Sequence, residues 1–238
     1  MKFLIRSLVE SEYAAQAESF ASSETFQALK AGRAEREDYE RLIAGLCRTH
    51  LKSPQILAFL YAMSPPAAAE RLKHNMLEEL GLDDEGVAHP PLLLKLAEAA
   101  GFEREAQEEF ERESQEELRR MCTDPILFGT FREFGLTVLL EVTCFEWMLS
   151  RLARTIAGFL AEHRGLSAEA LQWFLHHSEV DLRHAEEGLD AVVEYVSYYE
   201  FEMDDLRSIL EITFRENVFL KRYFKESALA RHALMSSL

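Results

Sequence analysis

Cysteine is scarce in this sequence of 238 residues. The only three are Cys47, Cys122 and Cys144, which is an odd number, and no two of them share a CxxC spacing. Secreted proteins with a disulfide framework carry paired cysteines at close spacing. The cysteine content therefore argues against such a framework and fits a reducing cytoplasm.

The chain also has fewer positively than negatively charged residues, and it lacks long apolar runs. Lys and Arg number 26 against 42 Asp and Glu, which gives a net charge of -16 and works against binding to a phosphate backbone or an anionic membrane. Arg6 and Glu10 interrupt the apolar start of the chain before a signal-peptide core can form, and no uncharged run is long enough to cross a bilayer. We expect a cytoplasmic protein with no nucleic-acid or membrane partner.

Proline is absent after Pro125, so long helices are permitted throughout the C-terminal half. Hairpin signals, namely alternating apolar residues bounded by tight turns, are missing as well. The chain is instead rich in Ala, Leu, Glu and Arg, which favour helix. The sequence predicts an all-α protein whose residues 1–238 form a single helical domain, with helices near residues 3–20, 35–51, 54–62, 66–80, 91–100, 103–121, 126–162, 168–197 and 201–225.

The most informative motif is His177-x3-Asp181-x2-His184. At about 100° per residue, these three side chains lie within roughly 60° of one another on one helix face. Two imidazoles and a carboxylate suit a divalent transition metal such as iron, manganese or zinc. The competing interpretation is that both histidines share a polar face by chance and Asp181 pairs with one of them. Three ligands from one helix leave a metal incompletely held, so further ligands are expected elsewhere.

The helix predicted over 126–162 supplies one candidate carboxylate. Glu141 lies on a row of apolar residues that includes Phe145 and Met148, so it is expected to be buried and to require a partner or a metal. Glu146, on a neighbouring stripe, is the alternative ligand. A buried arginine partner is the non-metal interpretation for either glutamate.

A third contribution is expected where one helix ends and the next begins. Glu78 and Glu79 precede Gly81, a helix-ending residue, and His89 precedes two prolines that favour a helix start. Glu79 and His89 are the predicted ligands here, while Glu78 and His74, one turn earlier, compete for the place of Glu79.

Together these motifs predict three carboxylates and three histidines as metal ligands. Such a set can hold two divalent ions, leave open positions for dioxygen and work without an organic cofactor, as carboxylate di-iron sites in helix bundles do. The predicted ligands are Glu79, His89, Glu141, His177, Asp181 and His184.

These motifs resemble those of the haem-oxygenase-like di-iron oxidases and of their TenA/PqqC/CADD-like relatives. The matching features span roughly residues 70 to 190 and are His177-x3-Asp181-x2-His184 after an aromatic pair, Asn75-x3-Glu79-x-Gly81 leading to His89-Pro90, and the intervening Glu141 helix. The resemblance implies a compact bundle of seven to eight helices, a homodimer, and a pair of iron ions, or manganese or a mixed pair. It also implies an oxidase or oxygenase that acts with dioxygen on a small amino-acid-like or fatty-acid-like substrate.

Two other functions fit the same fold. TenA-type enzymes hydrolyse aminopyrimidines without metal, using a cysteine and a glutamate, and Cys144 and Glu216 partly match those positions. A buried core cysteine is the simpler interpretation of Cys144. A noncatalytic helical scaffold or ligand carrier is the third hypothesis.

Overall fold

The computed structural model describes residues 1–84, 86–123 and 129–224, apart from the side chains of residues 121–123 and 179–181. Every regular element in these ranges is a helix, which confirms the all-α prediction. The helices are α1 (Lys2–Ser22), α2 (Glu24–Lys30), α3 (Arg36–His50), α4 (Ser53–Met63), α5 (Pro66–Glu79), α6 (His89–Ala99), α7 (Arg104–Thr123), α8 (Phe131–Arg164), α9 (Gln172–Tyr198), α10 (Met203–Thr213) and α11 (Val218–Phe224).

The two longest helices, α8 and α9, form an antiparallel pair at the centre of the fold. Helix α8 begins with a reciprocal capping box between Thr130 and Glu133 and ends at Gly165, whose φ is 66°. Gly188 of α9 faces Thr143 of α8, and a Cβ added there would come within 2.7 Å of the Thr143 Cγ2 atom. This glycine therefore allows α8 and α9 to approach closely near the predicted metal ligands.

The connection between α5 and α6 brings two predicted ligands together. Gly81 adopts a φ of 66° directly after α5, and a Cβ added to it would meet the backbone nitrogen of Ala88 at 2.6 Å. The loop can therefore fold back so that His89, the first residue of α6, lies beside Glu79, the last residue of α5.

The helices differ from the prediction at two places, one near each end of the described chain. The segment expected as one helix over 201–225 is divided into α10 and α11, and α2 was not predicted. Helix α11 packs against α3, where a Cβ at Gly45 would collide with the carbonyl group of Tyr223. Glycine at this position thus lets two helix backbones touch.

None of the described helices combines the length and the apolar character that a bilayer-spanning segment needs. The single domain, the homodimer and the cytoplasmic location stay predictions.

Candidate metal centre

Glu79, His89 and His177 converge in the interior of the fold although they come from three different helices. The Oε1 atom of Glu79 lies 2.8 Å from Nδ1 of His89 and 3.6 Å from Nε2 of His177. All three residues are at most 3% exposed. Burial alone would raise the pKa of the Glu79 carboxyl, but His89 and His177 lower that pKa well below its usual value. Glu79 is therefore held as a carboxylate between two imidazoles.

Neighbouring polar groups fix the orientation of this first group. Ser53, at the start of α4, donates a hydrogen bond of 2.5 Å from its hydroxyl to the other oxygen of Glu79. The backbone carbonyl of Trp173 accepts a hydrogen bond of 2.7 Å from Nδ1 of His177. A neutral histidine that is protonated on Nδ1 has its available lone pair on Nε2. This contact therefore leaves Nε2 of His177, which faces Glu79, free to bind a metal.

A second group consists of His74, Glu78 and His184. The Oε2 atom of Glu78 lies 3.0 Å from Nδ1 of His74 and 2.5 Å from Nε2 of His184. Arg183 donates a hydrogen bond of 2.7 Å to the same oxygen. Burial would raise the pKa of Glu78, but His184 and Arg183 lower it to about 2. Unlike the first group, this one reaches the surface, because the His74 side chain is 43% exposed.

Glu146 of α8 lies beside the second group, and the charges of Glu79 and His177 in the first group also act on it. Its Oε2 atom lies 3.6 Å from Nδ1 of His184, and its Oε1 atom accepts a hydrogen bond of 3.1 Å from Asn75. Burial would raise the pKa of Glu146 and the charge on Glu79 acts in the same direction, but the neighbouring imidazole of His184 lowers the pKa overall. The carboxylate is therefore held ionised beside the second group.

Glu141 does not join this cluster, and the prediction that it faces the metal ligands is wrong. Its Oε1 atom accepts a hydrogen bond of 2.6 Å from Nε of Arg222, on α11. Glu141 and Glu146 are five residues apart, a rotation of about 140° on a helix, so the two side chains cannot face the same group. The arginine interpretation is thus correct for Glu141, and Glu146 takes the position by the histidines.

The other predicted ligands divide as follows. His89, His177, His184 and Glu79 lie in the two groups, while the Asp181 side chain falls outside the described residues. Glu78 and His74, weighed only as replacements for Glu79, form the second group beside it.

Two histidines near the cluster were not predicted to contribute. The ring of His176 lies 4.7 Å from that of His89. His50, at the end of α3, lies 5.3 Å from the ring of Trp173. His50 gave little signal in the sequence because a histidine in the last turn of a helix is common at a solvated helix end.

The donor atoms of both groups fit a divalent metal. Ligand atoms about 2.1 Å from one ion and at right angles to each other lie about 3 Å apart. Within each group, one ligand atom from each of the three residues lies within 4.8 Å of the other two. Among the described residues, buried Nε2 of His89 and Oε2 of Glu146 also have no hydrogen-bond partner, which is costly unless another group binds there.

Comparison with known families identifies a family whose description names iron. The family model described as "Iron-containing redox enzyme" matches residues 43–211. The chain belongs to this family. The matched segment contains every residue of the two histidine groups and Glu146, and the resemblance to haem-oxygenase-like proteins is confirmed at this level. No curated protein matches the chain.

The surroundings of Cys144 do not favour the cysteine-dependent alternative. Cys144 is completely buried, and burial, followed by the charge on Glu141, raises the pKa of its thiol well above the usual value. A nucleophilic cysteine requires the opposite shift, because the thiolate is the reactive form. Glu216 is exposed, as expected for a surface residue.

Proposed function

We propose that this member of the iron-containing redox enzymes is a non-haem di-iron oxidase or oxygenase that uses dioxygen to oxidise a small amino-acid-like or fatty-acid-like substrate. The observation that carries the proposal is the pair of groups, each with two histidines and one glutamate, with the further carboxylate of Glu146 beside the second group. One iron is assigned to Glu79, His89 and His177, and a second to His74, Glu78 and His184.

Two ferrous ions bound there would supply electrons for the reduction of dioxygen. The protein provides the charge that makes this pair stable. Three ionised glutamates, Glu78, Glu79 and Glu146, offset the charge of the metals inside a buried site. Glu146 would add a third carboxylate to the ligands of these metals.

The surrounding residues keep each ligand in its binding form. The Trp173 carbonyl holds the proton of His177 on Nδ1, and Ser53 occupies the Glu79 oxygen that faces away from the histidines. The side-chain amide of Asn75 donates a hydrogen bond to one oxygen of Glu146. Each contact leaves the opposite atom of its ligand available, which is the role of outer-shell partners in metal sites.

Access from solvent is assigned to the second group. His74 is the one ligand whose side chain is substantially exposed, whereas the first group is almost completely buried. Water is thereby kept from the buried side of the site, where electrostatic interactions are strongest. The substrate class itself comes from the family resemblance.

The test compares two substitutions on the same helix, Glu146→Gln and Glu141→Gln. Each protein is loaded anaerobically with Fe(II), its iron content is measured, and its oxygen uptake is then followed with an electrode. Wild type is expected to bind about two irons per chain and to consume oxygen. Glu146→Gln should lower both quantities, because an amide cannot replace the charge of the carboxylate.

Glu141→Gln is the matched control, since it removes only the ion pair with Arg222. It should retain iron and oxygen uptake near the wild-type level. A wild-type protein that binds no iron, or a Glu146→Gln protein that matches wild type in both measurements, contradicts the proposal.

A further inference from the structure

A continuous row of aromatic side chains leads away from the first metal group. The Trp173 ring lies against the His177 ring with centroids 4.1 Å apart and planes inclined by 38°. His50 follows at 5.3 Å from Trp173. The hydroxyl of Tyr223 then lies 2.9 Å from Nε2 of His50. The order His177, Trp173, His50, Tyr223 joins a metal ligand to a tyrosine on α11.

Packing holds the far end of this row in place. Gly45 allows α11 to touch α3, and this contact brings Tyr223 beside His50. Phe145 meets the His50 ring nearly edge-on at 5.1 Å and lies 5.6 Å from the Tyr223 ring. Tyr223 and Trp173 are at most 1% exposed, so both rings are shielded from water.

Tyrosine and tryptophan are the side chains that give up an electron most readily, and tyrosine does so only when its phenol proton has an acceptor. We propose that Tyr223 is a one-electron donor to the metal centre, with His50 as its proton acceptor and Trp173 as the path of the electron. The inference rests on the proposed function, because the electron acceptor is the iron pair after it has reacted with dioxygen.

The step is balanced within the chain. The O–H bond of Tyr223 breaks, its proton moves to Nε2 of His50, and one electron passes by way of Trp173 to the oxidised iron, which is reduced by that electron. The products are a neutral tyrosyl radical and an imidazolium. The step operates when no substrate is present to supply the electron.

The surroundings of His50 suit a proton acceptor. Loss of hydration, followed by the charge on His177, lowers the pKa of His50 to about 4, so the ring is neutral at pH 7 and has an unprotonated nitrogen. Once protonated, the ring is favoured by the carboxylates of Glu79 and Glu146 and opposed by His177 and Arg222. In the proposed step, His50 is the tautomer in which Nδ1 carries the proton and Nε2 accepts a hydrogen bond from the Tyr223 hydroxyl.

The family match does not extend to this donor. It ends at residue 211, whereas Tyr223 lies on α11 beyond it.

The experiment uses the full chain loaded with Fe(II), mixed with dioxygen without added substrate, frozen at increasing times and examined by electron paramagnetic resonance. Wild type should give a tyrosyl radical signal that becomes narrower when the tyrosines carry deuterated rings. Tyr223→Phe should lose the signal. His50→Gln and Trp173→Phe should strongly reduce it, because they remove the proton acceptor and the electron path.

Tyr39→Phe is the control. Tyr39 is also buried and donates its hydroxyl to the Leu29 carbonyl, but it packs against Phe159 rather than against the row. Iron content, circular dichroism and oxygen uptake are measured on every sample. A radical that persists in Tyr223→Phe, one that is lost in Tyr39→Phe, or oxygen uptake by wild type without a radical overturns the inference and leaves the proposed function standing. Wild-type protein that takes up no oxygen contradicts both.

Discussion

Glu78 and Glu79 are neighbours in the chain, yet their carboxylates contact different pairs of histidines. Glu78 lies against His74 and His184, and Glu79 lies against His89 and His177. Successive residues on a helix are rotated by about 100°, and the end of α5 falls at this point, so one short segment supplies a carboxylate to each group. The two proposed metal positions can therefore be altered separately.

Glu78→Gln and Glu79→Gln should each remove about one of the two iron equivalents, because each amide leaves one pair of histidines without its negative ligand. Mössbauer spectroscopy of protein loaded with ⁵⁷Fe measures the iron that remains. The two variants should retain different spectra, since different ligands hold the remaining ion. If both variants lose all iron, or lose none, the assignment of one glutamate to each position is wrong.

Arg183→Gln should strengthen metal binding to the second group. The guanidinium of Arg183 contacts the same Glu78 oxygen that both histidines of that group face, so it competes with a metal for that oxygen. Because Arg183 is half exposed, its ion pair with Glu78 contributes only about 1 kcal/mol. Removing it should raise the affinity of the weaker iron position by about fivefold, as measured by competition with a chelator. Arg183→Lys keeps the positive charge and should stay close to wild type. A lower affinity in Arg183→Gln would show that the arginine supports the site.

Cys144→Ser should leave iron-dependent oxygen uptake nearly unchanged and lower the free energy of unfolding by ~1–2 kcal/mol, because a hydroxyl replaces a completely buried thiol. His177→Ala, in contrast, should abolish oxygen uptake while largely preserving the circular dichroism spectrum. Aminopyrimidine hydrolysis that disappears with Cys144 would instead support the cysteine enzyme.

The free energy of unfolding of the metal-free protein should fall as the pH is lowered from about 6.5 towards 4. Folded His50 has a pKa of about 4, below the value of about 6.5 expected in the unfolded chain, so the unfolded chain binds an extra proton in this window. His50→Gln should reduce the slope of stability against pH. His176, whose pKa is lowered to about 4 by burial and by His89, contributes with the same sign, as do the carboxyls of Glu78, Glu79 and Glu146 near pH 4, so part of the slope remains. Denaturant unfolding at several pH values measures the slope of stability against pH for wild type and for His50→Gln. Identical slopes in the two proteins would contradict this assignment.

Local patterns in the sequence were sufficient to predict most of the helices and several residues of the candidate site. His177 and His184 follow from their spacing on one helix, and the pairing of Glu79 with His89 follows from the Gly81 helix end and the proline-led start of α6. In these cases the information lies within a few residues of the ligand.

The choice between Glu141 and Glu146 needed information from distant residues. Helix α8 is buried around most of its circumference, so apolar neighbours do not distinguish the side that faces histidines from the side that faces α11. The partner of Glu141 proved to be Arg222 rather than a nearby arginine, and only the packing of α11 brings it there. The row from His177 to Tyr223 was missed for the same reason, since its members lie on α9, α3 and α11.

Anomalous diffraction at the iron edge from crystals of the Fe(II)-loaded protein tests the central claim most directly. Two iron peaks should appear, one among Glu79, His89 and His177 and the other among His74, Glu78 and His184, with Glu146 beside the second and Glu141 still paired with Arg222. No iron peak at these groups, or iron bound by Glu141, would contradict the account.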